Sequence, residues 1–224
     1  IQPHKDLASL IKCYWNLESP KEKTPKRNTI VPDGSMNLIF ELDGMKRNVF
    51  DNETLEPKLD FTKVWFSGVH RNLINISAHK DSSMFVVRFK PSGGYPFLPK
   101  PIYEYTDSVT PAEQIFGDEV FEIREDLLNS EDGETKKEIV EAWLNEKFDE
   151  AKTPKEAIQI SVQKIISDPH FQQNNLAELI EESGYSQKQF ISLFKKYVGI
   201  APKYFQRMWR HRLCFRTLNQ HRNY

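Results

Sequence analysis

Cysteine is scarce in this 224-residue chain, with two in all. Cys13 and Cys214 fall in segments of different character, so no disulfide framework can be built from them. That excludes the small crosslinked scaffolds of secreted proteins and fits a reducing compartment, the cytoplasm. No apolar run is long enough to span a bilayer and no signal-peptide pattern opens the chain, so no membrane partner is expected. There is no G-x-S-x-G elbow, no Walker-type phosphate loop and no paired-carboxylate motif, which leaves catalysis without residues to stand on; the chain is not expected to be an enzyme. His4, His70 and His79 are well separated and form no H-x-H pair followed by glutamate, so neither a metal nor another cofactor is expected.

Acidic residues are missing from one region only. The whole chain is nearly neutral, at a formal charge of −1, yet from Gly184 to Tyr224 it has no Asp or Glu and nine Lys or Arg. Lys155 to Tyr224 holds eleven basic and five acidic residues, a balance of +6, so the preceding 154 residues carry −7. A solvated surface mixes its signs. A basic end on an acidic body instead suits a polyanion bound at that end, where neutralised phosphates release counterions.

The same region has a helical layout. Leu176, Leu179 and Ile180 recur at helical spacing with Glu178, Glu181 and Glu182 opposite, which predicts a short amphipathic helix ending near Ser183. Gly184 stops it, since glycine reaches positive φ without a Cβ penalty. Ser186 restarts the chain as an N-cap, with Gln189 three residues on to complete a capping box. In the second helix Phe190, Leu193, Phe194 and Val198 form the apolar stripe, while Gln187, Lys188, Ile191, Ser192, Lys195 and Lys196 lie on or near the outer face. Gly199 and Pro202 then close that helix and open a third, running to about Leu218; its Arg207, Arg210 and Arg216 are available to phosphates or to acidic neighbours. Upstream, Ala157 to Ile166 predicts another amphipathic helix that ends before Asp168-Pro169.

The front of the chain differs in kind. Thr29–Val31, Pro32-Asp33-Gly34 and Met36–Leu42 read as strand, turn and strand. More β signal follows at Lys63–Phe66, Leu73–Ala78 and Met84–Lys90. Short strands between Gly, Pro, Asn and Asp clusters imply an antiparallel barrel or jelly roll. Helical periodicity takes over at Pro111–Phe116, Glu119–Leu128 and Glu134–Phe148, and the polar run Asp149–Pro154 reads as a linker. Arg88, inside the apolar strand MFVVRFK, calls for a carboxylate, either structural or from an acidic ligand. The fold class expected is α+β: an N-terminal antiparallel barrel or jelly roll, connecting helices, then an all-α helix-turn-helix domain. The expected division is residues 1–106, 107–153 and 154–224.

Leu176 to Leu218, with its GYS-x3-F-x3-FKKYVG-x2-P-x4-R-x2-R spacing, resembles the first helix-turn-helix of AraC/XylS-type transcriptional regulators. The resemblance implies a recognition helix over Gln187–Lys196 with Lys188, Ile191 and Ser192 facing bases, and a following connector helix. The DNA-contacting set expected is Ser186, Gln187, Lys188, Gln189, Ile191, Ser192, Lys195, Lys196, Arg207 and Arg210. Three features depart from the family pattern: Ile180 stands where Ala is usual, Ala201 where a capping Ser or Thr is common, and the residues for the family's second motif are not in this sequence. Cys13–Ser19, Val31–Phe40, Phe66–His70 and Val86–Leu98 resemble an uncharacterised, cupin-like domain found ahead of such modules, which implies effector sensing and dimerisation. The function expected is a sequence-specific transcription regulator controlled by a ligand or partner at its N-terminal domain. Its partners would be double-stranded DNA, a small-molecule effector and a second copy of itself. The alternative is a ligand-binding or protein-interaction module whose incomplete DNA-binding domain acts through a partner.

Overall fold

The computed structural model describes residues 1–18, 27–167 and 175–220, with the backbone alone at 175 and over 213–220. Among the described residues nine strands come first: β1 (Ile11–Glu18), β2 (Arg27–Ile30), β3 (Asn37–Glu41), β4 (Arg47–Phe50), β5 (Pro57–Phe61), β6 (Val64–Ser67), β7 (Ile74–Ser77), β8 (Ser83–Phe89) and β9 (Val109–Pro111). They form two antiparallel sheets, in the orders β1-β8-β3-β6-β9 and β2-β7-β4-β5. Neither sheet closes on itself, so the outcome is a jelly-roll-like sandwich and not a barrel. Helices follow: α1 (Glu113–Phe116), α2 (Glu119–Leu128), α3 (Gly133–Lys147), α4 (Glu156–Ser167), α5 (Asn175–Glu182), α6 (Gln187–Val198) and α7 (Pro202–Gln220).

Period-2 alternation makes the first sheet two-faced. Leu38 and Phe40 of β3, Phe66 of β6, and Phe85, Val87 and Phe89 of β8 point to one side and are almost wholly buried against Val120, Leu127, Val140 and Leu144 of the helices. Phe40 meets the Trp143 ring edge-on at 6.5 Å. The other face turns Ile39, Trp65 and Val86 toward the second sheet, where they cluster with Val49 and Phe61. A wholly apolar residue set on that second face would have filled the sandwich. Instead Asn37, Glu41, Ser67 and Arg88 alternate into it, and the space stays open.

The helical boundaries follow the expected periodicity closely, and α3 begins on an Asp132 side chain that accepts from the backbone N–H groups of Glu134 and Thr135. The structure refines the expected elements in three places. Pro32-Asp33-Gly34 does not make a hairpin, because β2 and β3 lie in different sheets; the turn crosses from one to the other. Pro111 ends β9 and the helix starts only at Glu113. Strands β1, β4, β5 and β9 stand where none was expected. The expected linker is tied down: Asp149 N–H donates to Pro96 O at 2.9 Å and Lys152 Nζ to Leu98 O at 3.0 Å. The hydrophobic core therefore runs without a break from the first sheet through α3 into α6 and α7.

Candidate nucleic-acid interface and inter-sheet cavity

The α5–α6 corner is built from local chemistry. Gly184 sits at φ 71°, where a Cβ would be strained. Ser186 caps α6: Gln189 N–H donates to Ser186 Oγ at 3.4 Å and Ser186 N–H donates to Gln189 Oε1 at 3.1 Å, a complete capping box. Gly199 ends the helix at φ 90°, its N–H donating to Lys195 O at 2.8 Å. Phe190, Phe194, Tyr197 and Val198 are buried, which rotates Gln187, Lys188, Gln189, Ser192 and Lys195 to the exposed face, with Ile191 half-buried beside them. Lys203, Arg207 and Arg210 are exposed along α7; the Arg207 guanidinium lies 4.6 Å from the centre of the Tyr204 ring.

Two members of the expected contact set have inward ties. Gln189 gives its amide oxygen to the cap. Lys196 turns away from the exposed face, its ammonium 5.3 Å from the Tyr95 ring and 5.6 Å from the Tyr197 ring. The contact with Tyr95, which lies outside α6, helps fasten that helix to the β-rich half.

That fastening is extensive. Phe205 of α7 is completely buried and lies over Gly34 so closely that a Cβ there would come within 2.4 Å of its ring. Gly34 has φ 75°, so shape and backbone both call for glycine. Thr106 Oγ1 donates to Gly199 O at 2.9 Å, Tyr204 Oη to Arg71 O at 3.0 Å and Arg212 Nη1 to Val31 O at 3.4 Å. Tyr95 and Tyr197 meet edge-on at 5.6 Å.

Between the sheets lies a cavity of about 660 Å³, within the range of a drug-sized ligand site. Strand register arranges the wall it shares with the first sheet into three rows. Arg88, Asn37 and Ser67 make the first; Trp15, Val86, Ile39 and Trp65 the second; Leu17, Met84 and Glu41 the third. Asp33, 3% exposed, closes the first row, its Oδ2 accepting from Arg88 Nη2 at 2.5 Å, with Lys12 Nζ at 3.6 Å and Arg212 Nη2 at 3.5 Å. The carboxylate expected for Arg88 is thus Asp33, and the Arg88 guanidinium also lies 4.8 Å from the Trp15 ring. At the third row Arg47, 2% exposed, pairs with Asp43 and with Glu41 Oε2 at 3.0 Å, while Trp65 Nε1 donates to Glu41 Oε1 at 2.9 Å. His70 lies 3.1 Å from Ser67 Oγ and His79 3.2 Å from Ser77 Oγ.

Environment moves these groups in opposite directions. Burial pushes Glu41 up, against the pull of Arg47 and Trp65. Burial lowers His70, outweighing Asp107, so its imidazole is neutral near pH 7. Burial also works against an ionised Asp33, but Arg88, Arg212 and Lys12 together overcome it and the carboxyl ends below its usual range. A lowered carboxylate contributes stability above its unfolded pKa and loses it as pH falls through the folded value. The stability deficit of Asp33→Asn in thermal unfolding is therefore expected to be flat from about pH 5 to 8 and to shrink below about pH 4. A deficit that widened on acidification would contradict this.

Among the described residues no three His, Cys, Asp or Glu side chains come together as a metal site, and no helix is long and apolar enough to cross a membrane. Only Arg88 hinted at the cavity from sequence; Asp33, Glu41, Arg47 and the two tryptophans carry no local signal that would single them out.

Two helices set about a Gly184 corner, the second capped and presenting a polar, basic face, make this a helix-turn-helix protein. Residues 168–207 match the model for bacterial regulatory helix-turn-helix proteins, AraC family, and residues 1–111 match a family described as a domain of unknown function (DUF6597). The helix-turn-helix segment belongs to the AraC family, and the chain joins that DNA-binding module of transcription regulators to the N-terminal domain. Among solved structures, an apo variant of ToxT from Vibrio cholerae strain SCE256 aligns at 11% identity over 94% of this chain and 95% of that chain, with a TM-score of 0.44. ToxT from Vibrio cholerae O395 aligns at 10% identity over 88% and 98%, with a TM-score of 0.28. No curated protein matches the chain.

Proposed function

We propose that this chain is a sequence-specific, non-enzymatic transcription regulator of the cytoplasm, controlled by a small molecule in the inter-sheet cavity and acting as a homodimer. Residues 1–106 would sense the effector, 107–153 connect and dimerise, and 154–224 bind DNA. The observation that carries this reading is the exposed face of α6, where Gln187, Lys188, Ser192 and Lys195 stand clear on a helix whose opposite side is locked into the core. Such a helix can enter a major groove without rearranging its support. The cavity supports an effector, because its apolar middle row lies between the polar Arg88, Asn37 and Ser67 row and the charged Glu41–Arg47 pair. Dimerisation would bring two α6 helices to half-sites a helical turn, or a multiple of one, apart; exposed Leu128 and Phe148, near the two ends of α3, support a surface there.

The test is binding to operators selected from a random DNA library. Lys188→Ala and Ser192→Ala are expected to flatten discrimination among operator variants by roughly 1–3 kcal/mol for each lost base contact, whereas Lys195→Ala weakens all sequences alike. Equal losses on every sequence from all three substitutions would contradict the assigned face, and no selection of any sequence would overturn the reading.

A further inference from the structure

At the Asp33 corner one buried carboxylate is shared among several cations. Lys12, Arg88 and Arg212 all reach its Oδ2, Arg88 most closely. Arg88 Nη1 has only a stretched contact, 3.5 Å to Asn37 Oδ1. We propose that the Arg88, Asn37 and Ser67 end of the cavity takes the carboxylate of a small organic acid, and that the acid draws Arg88 away from Asp33, loosening the hold of the Asp33 turn on α7. This rests on the ligand-controlled reading above and gives it a ligand class and a coupling route.

The chemistry favours that end. A guanidinium fork matches a carboxylate in two parallel bonds, and Ser67 Oγ and the Asn37 amide, on the same row, add further polar groups. The opposite end is closed to anions, because Arg47 already faces both Glu41 and Asp43. From the first row, Trp15, Val86, Ile39 and Trp65 begin two residues further along the strands, a step of about 7 Å. An acid anchored at Arg88 therefore lays an apolar body of one or two rings on that row.

The turn supplies the coupling. Asp33 faces the cavity and Arg212; the next residue, Gly34, seats Phe205; and Val31 O accepts from Arg212. One short crossover thus touches the ligand end and the helix. When the acid takes Arg88, Asp33 keeps Lys12 and Arg212 but loses its shortest bond, and the turn is freed to shift under α7.

Calorimetric titration of the whole chain with 2-naphthoate and 4-phenylbutyrate, each beside its primary amide, tests the site, and hydrogen exchange along α7 tests the coupling. The acids are expected to bind about tenfold or more tighter than the amides, and Arg88→Gln to remove that advantage. Asp33→Asn is expected to tighten acid binding, because the internal competitor is gone; a variant that merely misfolds cannot give that result. Saturation with acid should speed exchange in α7. Acids that bind no better than amides, or not at all at millimolar concentration, overturn the proposal. Weaker acid binding in Asp33→Asn, or α7 exchange unchanged at saturation, does the same. No DNA enters these measurements, so their failure leaves the DNA-binding test standing, and a failure there leaves these standing.

Discussion

Replacing Phe205 with alanine is expected to destabilise the whole chain by about 3–5 kcal/mol, the cost of deleting a fully buried aromatic ring that its surroundings cannot refill. The surroundings are stiff. Phe194 meets the Phe205 ring edge-on at 5.7 Å, Trp209 lies 6.3 Å away, and the floor is the backbone of Gly34 in a left-handed turn. Collapse onto the void would need that turn to move, and Asp33 beside it is held by its ion pairs. Because the core is continuous from sheet to α7, the loss should appear as one shifted denaturation midpoint reported alike by probes in the β-rich half and in the helices. A loss under about 1 kcal/mol, or two separated transitions, would show that α7 is not an integral part of that core.

Affinity for a selected operator is expected to fall roughly two hundredfold between about 50 and 200 mM salt, from about four phosphate contacts per protomer and a log–log slope near −4. The count comes from the structure. Lys195, Lys203, Arg207 and Arg210 are exposed beside the base-facing Lys188, while Lys196 lies against the two tyrosine rings and Arg212 faces Asp33. A filter-binding series across that range measures the slope directly. A slope near zero would remove the electrostatic footprint on which the DNA reading depends, and a slope much steeper would mean that Lys196 and Arg212 leave their present partners on binding.

The helix-turn-helix was legible because its determinants are local. The Ser186 and Gln189 box, the Gly184 corner and the Gly199 stop each act within a few residues, and each is found where the spacing puts it. Strands made of continuous apolar runs, such as β3 and β8, were legible for the same reason. Strands β4 and β5 were not: β5 is exposed at Pro57, Lys58, Leu59 and Asp60, so it has no alternation to read. Pairing was beyond reach, since β1 joins β8 and β3 joins both β8 and β6, and nothing local encodes which strand a given edge will meet. Pro-Asp-Gly illustrates the limit. Its composition correctly marked a turn but could not say that the chain was changing sheets. The cavity was hidden too, because its wall is assembled from several strands, and only a charged residue in an apolar run, Arg88, pointed toward it.

The seat of Phe205 on Gly34 also bears on how such chains can be recombined. A cut in the polar stretch 149–154 would divide the chain into a sensor and a helical module, yet any side chain at position 34 would collide with the incoming helix. Grafting this helix-turn-helix onto another sensor would require a recipient with a side-chain-free corner at the matching place and an acidic neighbour to receive Arg212. The heritable unit is therefore the matched pair of surfaces, and substitutions on either side of that seam are constrained by the other although more than 160 residues separate Gly34 from Phe205.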